Sequence, residues 1–120
     1  MPNKTETRLI RALATNRIGR PIDPAVTIAQ MGASTFLATC GGRWAEVKDA
    51  DGYTVGMLLL CGQGRAVEIV LNWADYYTVR RVRYVNRGAN AGAVVDESHA
   101  GHEVDAFQLS EVVYTAGCWK

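Results

Sequence analysis

The sequence predicts an α+β fold with N-terminal helices, an antiparallel β-meander of three to five strands and a C-terminal helix packed on the sheet. Apolar residues alternate along residues 53–59 and 67–71, which is the period of strands with one buried face. Turn sequences rich in aspartate and glycine, at 49–52 and 62–64, separate these strands. Helix-start signals lie before this region and after it, which places the helices towards the two ends of the chain.

The first helix is predicted over residues 4–15. Asn3 and Glu6 have the spacing of a capping box, in which the short side chain accepts from a free amide and the glutamate reaches back. Apolar residues form one stripe of this helix. A basic ridge at spacing i, i+4, i+7 lies on another side, and its members are Lys4, Arg8 and Arg11.

A second helix and the first strand are predicted next. Asp23 precedes a proline, which is the usual order of an N-cap and a first-turn proline, so a short helix is expected over residues 24–31. It ends at Gly32. Residues 36–39 are expected to form the first strand, closed by two glycines.

The last strand of the meander, residues 76–85, is its most polar strand. Such charge protects an open edge from pairing, so we expect an edge strand or a strand with one face in water. Residues 86–101 are rich in Gly, Ala and Asn and predict a mobile loop around a short strand at 93–95. A second capping box, Asp105 with Gln108, opens the closing helix, which ends at Gly117.

Length and composition indicate a single α+β domain over residues 1–120, since 48% of the residues are hydrophobic. The net charge of +1 demands neither a polyanion-seeking basic protein nor an acidic mimic of nucleic acid. The three cysteines are odd in number and widely spaced, which indicates a reducing compartment. No stretch approaches the ~20 apolar residues of a membrane span, and we expect a cytoplasmic protein.

The candidate binding site combines arginine and tyrosine side chains on the last strand. Arginine pairs with phosphate or carboxylate through two hydrogen bonds and also stacks on rings. Alternation sends Arg81 and Arg83 to the same face as Tyr77. The alternative is an edge strand that is merely protected by its charge. The predicted binding residues are Arg80, Arg81, Arg83, Tyr77 and Tyr84 on this strand and Lys4, Arg8 and Arg11 on the first helix.

Three segments resemble a family of small, uncharacterised proteins encoded by bacteriophages and plasmids. Residues 28–32 (Ile-Ala-Gln-Met-Gly) resemble the end of that family's helix, and residues 67–71 with 75–79 resemble its paired strands. Residues 104–117 are similar to its closing helix. The resemblance covers roughly residues 26–117 and implies a mobile-element origin and a shared fold. It transfers no catalytic residue.

We therefore expect a non-enzymatic interaction module in the cytoplasm of a bacterial host cell, with a host protein or ribonucleoprotein complex as partner. An inhibitor of a bacterial defence complex would be such a protein. The alternative is a nucleic-acid-binding domain, because the same arginines could hold a phosphate backbone. A further alternative is a small enzyme or metal-binding protein that uses Cys40, His99 and His102. We expect no cofactor and no metal.

Overall fold

The computed structural model describes residues 3–16 and 20–118. In these ranges the helices are α1 (Lys4–Asn16), α2 (Pro24–Met31), α3 (Ala33–Cys40) and α4 (Leu109–Gly117). The strands are β1 (Trp44–Lys48), β2 (Thr54–Gly62), β3 (Arg65–Leu71), β4 (Tyr77–Tyr84) and β5 (Val94–Val104).

The strands form one antiparallel sheet in the order β1-β2-β3-β4-β5, so each strand pairs with its neighbour in sequence. Helices precede this meander, and α4 packs on it afterwards. The predicted α+β architecture is confirmed. None of the helices in the described ranges combines the length and the apolar character needed to cross a membrane.

Both faces of the sheet are covered, because neighbouring residues of β2 are buried in different cores. Met57 and Leu59 pack with residues of α2, α3 and α4, and we call this side the three-helix face. Leu58 and Leu60 pack against Leu9 of α1 on the other side, the α1 face. The central strands are therefore apolar on both sides, and the sheet forms the middle layer of three.

The predicted helix starts are confirmed at α1 and α2, whereas the bonds predicted between Asp105 and Gln108 form in a turn and α4 begins only at Leu109. The backbone N–H of Glu6 donates to Asn3 Oδ1 at 2.9 Å, and that of Asn3 donates to Glu6 Oε1 at 3.0 Å. The Asp23 side chain accepts from the second residue of α2 at 3.0 Å. Before α4, the N–H of Gln108 donates to Asp105 Oδ1 at 2.9 Å. These local signals needed no tertiary contact to be recognised.

The prediction of a first strand at residues 36–39 is wrong, because these residues belong to α3. Gly32 and Gly41, at φ +88° and +61°, bound this helix. The N–H of Gly41 donates to the carbonyl of Leu37, and the Thr39 hydroxyl donates to the carbonyl of Thr35. A segment of eight residues is too short for its apolar pattern to distinguish a helix from a strand.

The predicted loop is confirmed over residues 86–93, but the short strand expected at 93–95 is part of a much longer one. Residues 94–104 form β5, an eleven-residue edge strand that is exposed along nearly all of its length. Because β5 pairs with β4, the charged strand β4 lies inside the sheet and is not an edge. Backbone pairing with β4 stabilises β5 even though its side chains show no apolar alternation.

Candidate functional site

The basic ridge predicted on α1 exists as one groove. Its lining residues are Asn3, Lys4, Thr7, Arg8 and Arg11, and its volume is about 320 Å³. Lys4, Arg8 and Arg11 are all exposed. The opposite side of α1 is anchored in the core by Leu9 and Leu13. The amphipathic pattern thus turns the cations of α1 towards solvent.

The only carboxylate of α1, Glu6, is not among the residues that line this groove. Glu6 is 3% exposed and accepts hydrogen bonds from Arg43 Nη2 at 2.7 and 3.0 Å. The Tyr84 hydroxyl lies close enough to Glu6 and Arg43 to interact with their charges. Burial raises the pKa of the Tyr84 hydroxyl, and the nearby Glu6 raises it further. The charge of Glu6 is therefore matched inside the protein and does not offset the cations of the groove.

The arginines of β4 do not act together, because they are divided between the two faces of the sheet. Arg81 pairs with Val67 of β3, and Arg83 pairs with Arg65, which places all three arginines on the three-helix face. Arg83 also stands opposite Asp96 of β5. This corner therefore carries charges of both signs.

Arg80 points to the α1 face and is engaged within the protein. Its Nη1 donates to Glu68 Oε1 at 3.3 Å, and its Nε donates to His99 Nε2 at 3.1 Å. The Glu68 side chain is completely buried, and that of Arg80 is 23% exposed. A buried carboxylate requires such a partner. Burial of Glu68 could not be recognised from the sequence, since its position between apolar residues of β3 is equally typical of a solvent-facing side chain.

Tyr77 and Tyr84, the two tyrosines predicted to bind a partner, lie in the core. They are 5% and 6% exposed, on the three-helix face and the α1 face respectively. The Tyr77 hydroxyl donates to Gln30 Oε1 at 2.6 Å and lies 3.2 Å from Thr27 Oγ1. Neither ring offers a face for stacking. Of the eight predicted binding residues, the structure brings Lys4, Arg8 and Arg11 together.

The residues of the enzyme or metal alternative lie apart. Cys40 is buried on the three-helix face, and burial raises the pKa of its thiol. His99 of β5 stands opposite Arg80 of β4. The His99 ring stacks on the ring of His102, and the two centroids are 4.0 Å apart. Within the described ranges, no three His, Cys, Asp or Glu side chains form a group that could hold a metal ion.

A cleft that the sequence did not indicate lies between α2 and the β3–β4 hairpin. Its volume is about 430 Å³, and Tyr77 contributes to its lining. Apolar residues from three separate parts of the chain also line it, namely Ile22, Val26, Leu71 and Ala106. Arg20 and Asp75 form an ion pair there. No local signal could have revealed this cleft, because only folding brings these parts together.

The chain matches no protein-family model, and no curated protein or solved structure is significantly similar to it.

Proposed function

We propose that this protein is a non-enzymatic interaction module that binds an acidic surface of another protein through the α1 groove. One observation carries the proposal: Lys4, Arg8 and Arg11 share a solvent-facing groove, while Glu6 is buried against Arg43. Three cations that line one exposed groove favour an anionic partner. A mobile-element origin, which the sequence resemblance implies, would suit such a module.

An acidic protein surface suits the molecule better than a nucleic-acid backbone. Nucleic acid requires cations along a continuous track. Here Asp96 and Glu97 of β5 stand directly opposite Arg83 and Val82 of β4. These carboxylates would repel phosphates at the edge of the sheet. Binding of nucleic acid remains the second candidate, carried by the α1 groove alone.

Affinity purification from the native host tests the proposal. The double variant Lys4→Glu/Arg11→Glu should lose the partner that the wild type retains, because both substitutions reverse charge in the groove. Lys48→Glu is the matched control, since this exposed lysine lies on β1 outside the groove. A partner that stays bound to the double variant would refute the assignment of the groove. A partner released by nuclease, with binding that weakens steeply as salt rises, would favour the nucleic-acid alternative.

A further inference from the structure

Exposed aromatic rings gather at one end of the sheet. Three turns lie there: residues 49–53 between β1 and β2, residues 72–76 between β3 and β4, and residues 105–108 after β5. Each turn presents at least one ring, and the exposed fractions are 59% for Tyr53, 74% for Trp73, 40% for Tyr76 and 97% for Phe107. Such rings are costly to leave in water and are typical of interaction surfaces.

The same three turns carry four carboxylates and no lysine or arginine. The carboxylates are Asp49, Asp51, Asp75 and Asp105, of which Asp75 is ion-paired with Arg20 from the cleft. The turns at the opposite end of the sheet, residues 62–65 and 85–93, contain arginine but neither a carboxylate nor an aromatic residue. We call the first end the aspartate–aromatic end. Its composition is thus specific to one end of the sheet and is not a general property of the turns.

In the β3–β4 turn, Asp75 occupies a position whose positive φ favours glycine. The two hairpin turns are built alike: Asp49 accepts from the N–H of Tyr53 at 2.9 Å, and Asn72 accepts from that of Tyr76 at 3.1 Å. The first turn places Gly52 at φ +86°, whereas the second places Asp75 at φ +66°. A side chain in this conformation costs stability that glycine would not.

The cleft described above opens beside these turns. Asp75 and Ala106 belong to two of the turns, and both line the cleft. Ile22, which lines the cleft, also lies beside the turn between β1 and β2, because its N–H donates to the carbonyl of Thr54, the residue after that turn, at 2.8 Å. Exposed rings, carboxylates and a largely apolar cleft are therefore parts of one continuous surface.

We propose that the aspartate–aromatic end is a docking surface for a cationic segment of another protein. Lysine or arginine side chains of that segment lie against the exposed rings and carboxylates, and one of its apolar side chains enters the cleft. Charge complementarity selects this occupant, because cations are attracted both to aromatic faces and to carboxylates. This surface is distinct from the α1 groove, so the molecule has two docking surfaces that prefer partners of opposite charge.

A random peptide library displayed on phage tests the proposal. Peptides selected on the wild-type protein should carry an excess of lysine and arginine together with an apolar residue. Their affinity should fall about two- to fivefold for each ring removed, in Trp73→Ala and in Phe107→Ala. It should also fall in Asp51→Asn/Asp75→Asn, where asparagine still tolerates the positive φ.

Matched controls lie on α4. Tyr114→Ala removes an exposed ring outside the three turns, and Glu111→Gln removes an exposed carboxylate. Both variants should bind the selected peptides as the wild type does. The double variant Lys4→Glu/Arg11→Glu should also bind the selected peptides as the wild type does, because the α1 groove is a different surface.

Three outcomes would overturn the proposal. The first is a selection that enriches no peptides, or enriches peptides without excess positive charge. The second is equal binding of the selected peptides by the turn variants and the α4 controls. The third is concentration-dependent self-association of the wild type that Trp73→Ala abolishes, because the occupant would then be a second copy of this chain.

Discussion

A completely buried carboxylate on a central strand needs a cation within hydrogen-bonding reach, and Arg80 meets that need for Glu68. Arg83, three residues further along β4, is exposed. The two side chains belong to the same run of arginines but have different physical roles. Arg80 offsets a buried charge, whereas Arg83 lies at the surface opposite Asp96.

Arg80→Ala should therefore lower the free energy of unfolding by about 3–5 kcal/mol, because it leaves the carboxylate of Glu68 buried without its arginine. Arg83→Ala should change it by no more than about 0.5 kcal/mol. Denaturation in urea measures both values. Replacing Glu68 and Arg80 together by leucine should restore much of the loss, since no buried charge then remains at these two positions. Equal values for the two single variants would contradict this account.

At the scale of single elements, α1 is positioned by contacts that lie far from it in the sequence. Arg43, just before β1, binds Glu6 of α1. Gly92, in the loop between β4 and β5, lies so close to α1 that a Cβ atom there would be 2.6 Å from Arg8 Cβ and 2.8 Å from the carbonyl oxygen of Thr5. The helix that carries the candidate groove is thus held against the 85–93 loop.

Gly92→Ala should destabilise the protein by about 1–3 kcal/mol more than Gly88→Ala does, because only the former crowds α1. The comparison is matched: the two glycines have φ +94° and +91°, and a Cβ at Gly88 would meet no atom within 4 Å. Thermal unfolding measures the difference. Amide hydrogen exchange should show the loss of protection concentrated in α1. Equal destabilisation by both substitutions would show that backbone strain alone decides the effect.

At the scale of the whole molecule, the sheet joins two cores that share their strands. Leu58 is completely buried on the α1 face, and Leu59 is completely buried on the three-helix face. Adjacent residues of one strand therefore support different helical layers. Because β2 and β3 contribute to both cores, the loss of one core removes support from the other.

Leu58→Ala and Leu59→Ala should each cost about 2–5 kcal/mol, the usual range for deletion of a buried leucine side chain. Each variant should still unfold in one cooperative transition, with the same midpoint by far-ultraviolet circular dichroism and by tryptophan fluorescence. Two separate transitions in Leu58→Ala would mean that α1 can detach while the three-helix face stays folded.

Local sequence was sufficient for the elements whose signals are short-range. The capping box at Asn3 and the Asp23–Pro24 pair determined where α1 and α2 begin, since the groups involved lie within four residues of each other. The Asp105–Gln108 pair forms its bond too, in the turn that precedes α4. Hairpin turns and apolar alternation likewise predicted the meander. The basic groove could also be predicted, because its cations follow the period of a single helix.

Tertiary structure alone decided which predicted site residues are accessible and which strand forms the edge. β5 exists because β4 offers it backbone partners, and this places β4 inside the sheet. The pairing of β4 with β3 brings Arg80 to Glu68, and its pairing with β5 brings Arg80 to His99, while helical packing buries Tyr77. The physical reason is common to all of these cases: burial and partner choice depend on residues distant in sequence, whereas caps, turns and periodicity depend on near neighbours.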